Sequence, residues 1–164
     1  MMFVQDIRCP IMIDLDELDL AILRALQADG RMSNVELAQH INLSPPATHT
    51  RLKRLQEQGT ILKYVALLDQ EQVGYDMTCF INISLQLHQV EELEGFRAII
   101  NELPEVLECY HVTGEFDYLL KVVVRSRKDL QRFVVEQLTP IPGVARIYTS
   151  LVLTEVKSTT ALPI

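Results

Sequence analysis

The chain has 164 residues and a formal net charge of −7; 48% of its residues are hydrophobic and 23% are charged. This composition excludes an intrinsically disordered chain, and the length suits one ordinary domain or two small ones. No apolar run reaches the roughly 20 residues that a membrane helix needs, and the three cysteines lack CxxC spacing, which indicates a reducing cytoplasm rather than a disulfide framework.

The first part of the chain predicts two helices after an N-terminal extension, residues 1–13, whose charged residues and proline exclude a signal peptide. Segment 14–29 carries apolar residues at helical spacing and acids in its first turn, and Gly30 ends the helix. Ser33 and Glu36 have the spacing of a capping box, so a second, short helix follows.

A third helix is predicted to begin at Ser44 as N-cap, only two residues after the second helix ends. Pro45 and Pro46 then occupy the first turn, where the backbone N–H has no intrahelical partner to lose, so they start the helix rather than break it. The buried stripe of this helix is Thr48, Leu52 and Leu55. Residues 44–63 carry a net charge of +3 within an acidic chain.

Three helices with a short second turn and a basic third helix form the layout of a helix-turn-helix. In that motif the third helix enters the major groove, where basic residues bind phosphates or guanine and polar residues contact base edges. The residues predicted to contact DNA are Ser33, Asn34, Ser44, Pro46, Ala47, His49, Thr50, Arg51, Lys53 and Arg54. Considered alone, the same stretch is equally consistent with a solvated surface helix.

Beyond Gly59 the pattern changes to strands and helices. Residues 61–76 are predicted to be a hinge strand and linker, with the β-like run at 61–69. Residues 77–164 then read β-α-β-β-α-β, with strands at 77–87, 106–114, 117–125 and 144–156 and helices at 90–103 and from Ser126 onward. The predicted fold class is α+β: a helix-turn-helix domain, 14–60, followed by a ferredoxin-like domain, 77–164.

Two features of the second domain suggest chemistry. Gly114 and Asp117 fit a tight hairpin, whose exposed N–H groups could also hold an amino-acid carboxylate. Cys109 and His111 share one face of a strand, but no second ligand pair lies nearby in sequence, so no metal is predicted. The chain has no P-loop or dinucleotide-binding glycine motif, and neither an enzyme activity nor a cofactor is predicted.

The ordered motifs LDELDLAILRALQADGRMSNVELAQHINLSPPATHTRLKRLQEQGTI, VTGEFDYLL and IPGVARIYTSLVLTEVK resemble the Lrp/AsnC family of bacterial and archaeal transcription regulators. The resemblance implies a winged-helix-like DNA-binding domain, a hinge strand and a ligand-sensing αβ sandwich. It also implies homodimers, four of which close into an octamer, and a response to a free amino acid. The ligand-binding residues that it implies are Val112, Thr113, Gly114, Glu115, Phe116, Asp117 and Tyr118.

The expected function is a cytoplasmic, sequence-specific transcription regulator whose DNA binding or assembly responds to an amino acid. The expected partners are double-stranded promoter DNA, further copies of the chain and the amino acid, but no membrane. Resemblance to the leucine-responsive branch points to leucine or methionine as effector. The alternative is an amino-acid-binding metabolic module in which the helix-turn-helix serves only dimerisation; retention of the upstream promoter fragment against competitor DNA distinguishes the two.

Overall fold

The computed structural model describes residues 14–86 and 90–164, so the predicted N-terminal extension, 1–13, lies outside the described residues. The chain divides into two compact units, one extending to Ala66 and including Ser158–Ile164, the other Leu67–Lys157. Residues 158–164, assigned from sequence to the second domain, contact the first helix instead. Gln27 exchanges hydrogen bonds with the backbone of Leu162 at 2.5 and 3.1 Å.

The N-terminal unit contains helices α1 (Glu17–Ala28), α2 (Asn34–His40) and α3 (Pro45–Glu57). Local chemistry determines their ends. A capping box formed by Asp16 and Asp19 starts α1, and another formed by Ser33 and Glu36 starts α2. After α3 the chain turns at Gly59, whose φ of 73° is in the left-handed region that favours glycine.

The core of this unit is formed by one face of each helix. Ile22 of α1, Leu37 of α2 and Leu55 of α3 are each at most 1% exposed. Thr48 is also buried, and its hydroxyl donates to the Ser44 carbonyl at 3.1 Å, so its polar group is satisfied. The stripe predicted for α3 is therefore observed, with Leu52 half-buried at its edge.

The run at 61–69 forms no strand in the described structure, so the predicted hinge strand is wrong for a single chain. A strand requires a partner for its backbone N–H and C=O groups, and sequence pattern cannot supply one. Several large apolar side chains of this run are exposed; they are Leu62, Val65, Leu67 and Leu68.

The C-terminal unit has the predicted β-α-β-β-α-β order. Its elements are β1 (Met77–Leu85), α4 (Val90–Asn101), β2 (Val106–His111), β3 (Tyr118–Val124), α5 (Arg127–Arg132) and β4 (Val144–Leu151). The four strands form one sheet in the order β2-β3-β1-β4, with every neighbouring pair antiparallel. Leu87, which the sequence placed in the first strand, lies outside the described residues.

One face of this sheet packs against the helices, because alternate residues of β1 and β3 join Phe96 and Phe133 in a continuous buried cluster. Helix α5 continues directly into a π-helical turn, Phe133–Leu138, which the sequence did not predict. The opposite face of the sheet presents Phe80, Tyr110 and Tyr148, which are 37%, 51% and 56% exposed.

Candidate functional site

The beginning of α3 presents polar groups outward. Ser44 is extended, and its hydroxyl makes no capping hydrogen bond. The next two residues are prolines without an N–H, so the amide of Ala47 is the first in the helix able to donate. A helix N-terminus attracts anions because its N–H groups and its dipole are both positive in that direction.

The start of α2 is fixed by internal hydrogen bonds. Ser33 N donates to Glu36 Oε2 at 2.8 Å, and Glu36 N donates to Ser33 Oγ at 3.3 Å. The hydrogen bond from Ser33 lowers the pKa of Glu36. Asn34 Nδ2 donates to the Pro45 carbonyl at 2.9 Å and so ties α2 to the start of α3. Both residues predicted to contact DNA from α2 thus also support the turn.

Six residues of α3 predicted to contact DNA are exposed: Pro46, Ala47, His49, Thr50, Lys53 and Arg54. Thr50 Oγ1 donates to the Pro46 carbonyl at 3.0 Å, which leaves its oxygen as an acceptor. Lys53 Nζ lies 3.7 Å from Glu57 Oε1 in a solvent-exposed pair that contributes little and is easily exchanged for another anion.

The other two basic residues of α3 are paired with acids of α1. Asp19, fully buried, accepts a hydrogen bond from Arg51 Nη1 at 2.9 Å and another from Arg54 Nη2. Arg51 also pairs with Asp16 at 2.6 Å. The backbone N–H of Asp19, followed by Arg51, lowers the pKa of Asp16, while Asp16 and Asp19 raise the pKa of Arg51.

These pairs change how the basic segment is interpreted. Counting Asp16 and Asp19 with residues 44–63 reduces the local net charge from +3 to +1. The Arg54 side chain keeps 44% of its surface exposed, whereas Arg51 keeps only 26%. Sequence reasoning missed Asp19, although a signal was present: Asp19 shares a helical face with Ile22 and Leu23, so the chain places an acid within a buried stripe.

The loop between β2 and β3 is attached to the end of β1 through Asp117. Its Oδ2 accepts from the Leu85 N–H at 2.8 Å, and its own N–H donates to the Ile83 carbonyl at 2.9 Å. Asp117 also accepts at its carbonyl from the Val112 N–H. Gly114 has a φ of 124°, and Thr113, Gly114 and Glu115 are exposed at the tip.

The side chains of this loop differ in burial and in the groups that they contact. Tyr118 is buried between the rings of Phe96 and His111, at 4.6 and 5.0 Å, so it belongs to the core. Arg146 pairs with Glu115 and lies 4.9 Å from the ring of half-buried Phe116. The amides of residues 113–116 make no hydrogen bond to any described residue, so the loop tip offers several donors to a ligand.

The described ranges contain neither a candidate metal site nor a membrane-spanning helix. Within residues 14–86 and 90–164, no group of three or more His, Cys, Asp or Glu side chains is arranged to hold a metal ion. Cys109 and His111, the pair noted in the sequence, point to the helical face of β2, where the His111 ring stacks on Tyr118. None of the helices described is long and apolar enough to cross a bilayer.

Comparison with known proteins decides the family. A family model described as the Lrp/AsnC ligand binding domain matches residues 78–162, and one described as a winged helix-turn-helix DNA-binding domain matches residues 15–61. The chain belongs to the Lrp/AsnC family. The resemblance drawn from the sequence motifs and the predicted fold class are confirmed, and the chain is a transcriptional regulator with a DNA-binding and a ligand-binding domain.

Relatives in the Lrp/AsnC family match over almost their whole length. The transcriptional regulator AzlB of Bacillus subtilis is 38% identical over 93% of this chain and 97% of that protein. The leucine-responsive regulatory protein of Salmonella typhimurium is 40% identical over 92% of both chains. The solved complex of the Neisseria meningitidis transcriptional regulator NMB0573 with L-Met is 39% identical, with a TM-score of 0.88 over 92% of this chain and 97% of that one.

Proposed function

We propose that this regulator reads operator DNA with the start and outer face of α3, as a homodimer acting in the cytoplasm. The observation that carries the proposal is the division of α3 into two sides. Buried Thr48 and Leu55 hold the helix in the core, while His49, Thr50 and Lys53 are exposed along the opposite side. A dimer would place two such helices in major grooves about 34 Å apart.

Each exposed group of α3 has a chemical role in this proposal. The Ser44 hydroxyl and the Ala47 amide bind a phosphate at the positive helix end. Lys53 binds a second phosphate, and His49 and Thr50 contact base edges. Pro46 shapes the helix start beside them.

Arg51 and Arg54 act mainly by positioning α3. Arg51 holds α3 against α1 through Asp16 and Asp19, and Arg54 does so through Asp19 alone. Because Arg54 is the more exposed of the two, its remaining guanidinium N–H groups can also contact DNA. Replacing Arg54 would therefore disturb the helix as well as the interface, which makes Lys53 the better test.

The test is titration of a fluorescent upstream promoter fragment at several salt concentrations, with competitor DNA present. Lys53→Ala should weaken binding and reduce the salt slope by about 1 for each protomer that loses a phosphate contact. Lys128→Ala is the matched control, because it removes another exposed lysine, from α5 in the other unit. An unchanged affinity and slope for Lys53→Ala would contradict the assignment of α3.

We further propose that leucine or methionine binds at the loop Val112–Tyr118. Support comes from the loop-tip amides, which pair with no residue that the structure describes, and from the L-Met complex of the Neisseria relative. A ligand that binds only the folded state raises its melting temperature. Screening the twenty amino acids by thermal shift should therefore give the largest increase with leucine or methionine, and no response to any amino acid would contradict the proposal.

Gly114→Ala tests the place of binding. An added Cβ meets no atom within 4 Å, but the φ of 124° is unfavourable for alanine, so the loop tip must rearrange. The variant should lose most of the thermal response to the effector. Gly95→Ala in α4 is the control, because it adds the same methyl group in open space without a positive φ.

Assembly as a homodimer, and of four dimers as an octamer, is supported by the apolar surface that a single chain leaves exposed. The open sheet face carries Phe80, Tyr110 and Tyr148, and the linker exposes Leu62 and Leu68. Exposed apolar patches of this kind mark protein interfaces. An effector bound near such an interface could act by favouring one assembly over another.

A further inference from the structure

An ion pair joins the tip of the loop Val112–Tyr118 to the edge strand β4. Glu115 of the loop pairs with Arg146 of β4, 31 positions further along the chain. Both side chains are reachable from solvent, since Glu115 keeps 66% and Arg146 keeps 57% of its surface exposed. An exposed pair of this kind contributes little to stability, so it opens readily when another charged group competes for either partner.

Two aromatic rings border this ion pair. The Arg146 guanidinium lies 4.9 Å from the centre of the Phe116 ring, and the centres of the Phe116 and Tyr148 rings are 6.2 Å apart. Arg146 and Tyr148 point to the same side of β4, because alternate residues of a strand share a face. A carboxylate, a guanidinium and an apolar surface therefore meet at one exposed place.

A free amino acid carries these three features in complementary form. Its ammonium group donates three hydrogen bonds and its carboxylate accepts them. A planar guanidinium binds a carboxylate in bidentate fashion, and an aliphatic or thioether side chain packs favourably on aromatic rings. In the ligand-free chain, Glu115 and Arg146 thus satisfy each other with the charges that an amino acid would use.

The other acid of the loop has a different task. Asp117 Oδ2 accepts from the Leu85 N–H at 2.8 Å, and the Asp117 N–H donates to the Ile83 carbonyl at 2.9 Å. Asp117 therefore fastens the base of the loop to β1. Glu115 is the acid at the exposed tip, beside backbone amides that bond to no described residue.

We propose that Arg146 binds the carboxylate of the effector and that Glu115 binds its ammonium group. The two residues exchange their mutual ion pair for the two charged ends of the amino acid, whose side chain packs on Phe116 and Tyr148. The inference rests on the proposed function in one respect, namely that an amino acid binds at the loop Val112–Tyr118. Because Tyr148 also belongs to the open sheet face, the effector lies at the border of that face.

The experiment is calorimetric titration of the full chain with methionine, leucine and methioninamide, which lacks the carboxylate. Arg146→Gln and Glu115→Gln should each weaken methionine binding at least about tenfold, the effect of losing one charge-assisted hydrogen bond. Arg127→Gln and Glu136→Gln, which remove an exposed arginine and an exposed glutamate elsewhere, should bind as the natural chain does. The natural chain should bind methioninamide more weakly than methionine.

A melting curve without ligand separates binding from a structural role. Because the ion pair is exposed, Arg146→Gln and Glu115→Gln should melt within about 2 °C of the natural chain. Lower melting temperatures beyond that range would make both residues structural and overturn the proposal. So would methionine binding within twofold of the natural chain in Arg146→Gln, or equal binding of methionine and methioninamide by the natural chain.

The same titrations distinguish this failure from failure of the proposed effector site. If the natural chain binds no amino acid, both ideas are wrong. If methionine binding is lost in Gly114→Ala but kept in Arg146→Gln and Glu115→Gln, the effector does bind at the loop and the roles given to the ion pair are wrong.

Discussion

Asp19 should be the residue on which the packing of α3 against α1 most depends, and Asp19→Asn tests this. The substitution keeps the shape but puts an amide nitrogen where one oxygen accepts from Arg54 or Arg51. If the nitrogen replaces Oδ2, it faces two donors, Arg54 Nη2 and the Asp16 N–H. At least one charge-assisted hydrogen bond is lost, and such bonds contribute about 1.5–3 kcal/mol each.

Partial exposure of Arg54 reduces this loss, because its guanidinium can be hydrated again. We therefore expect a loss of about 2 kcal/mol, which corresponds to roughly 30-fold faster hydrogen exchange where opening controls exchange. Mass spectrometry should find this acceleration in peptides from α1 and α3 and no change in peptides from β1 and β3. Glu17→Gln, an exposed acid in the same turn, is the control. Exchange within twofold of the natural chain would refute a stabilising role for Asp19.

Three further predictions concern other parts of the chain. Ser33→Ala removes the hydrogen bond that lowers the pKa of Glu36. The stability that comes from a lowered carboxyl pKa is present above about pH 4.3 and is lost as the pH falls through the folded value. Urea titrations followed by circular dichroism should therefore show that the variant is less stable than the natural chain at pH 6, with a smaller difference at pH 3. Gly59→Ala should lower stability by about 1 kcal/mol, because φ is 73°, and an unchanged urea midpoint would contradict this. Phe80→Asp on the open sheet face should yield smaller assemblies in light scattering, whereas Val135→Asp, an exposed position outside the sheet, should not.

The helix-turn-helix could be read from sequence because the signals that define it are local. A capping box spans four residues, as at Ser33 and Glu36, and two prolines after Ser44 fix a helix start without any distant partner. The sequence of strands and helices along the second unit followed from the same kind of local periodicity.

Features that depend on distant partners could not be read in this way. Asp19 meets Arg54 across 35 residues, and Asp117 meets the Leu85 N–H across 32. The run at 61–69 has strand composition, yet it forms none in a single chain because pairing requires a second strand.

The π-helical turn also determines which way its residues face. In an α-helix, where each residue advances about 100°, positions 133 and 138 would point about 140° apart. Bonding to the fifth residue back brings Phe133 and Leu138 to one side, and both are buried. Deleting the exposed Val135 should return this segment to α-helical hydrogen bonding, with Phe133 and Leu138 then four residues apart and about 40° from alignment, so still on one side. A one-residue deletion here should thus keep the buried side of the helix, whereas the same deletion in a regular α-helix would turn every later residue by about 100°.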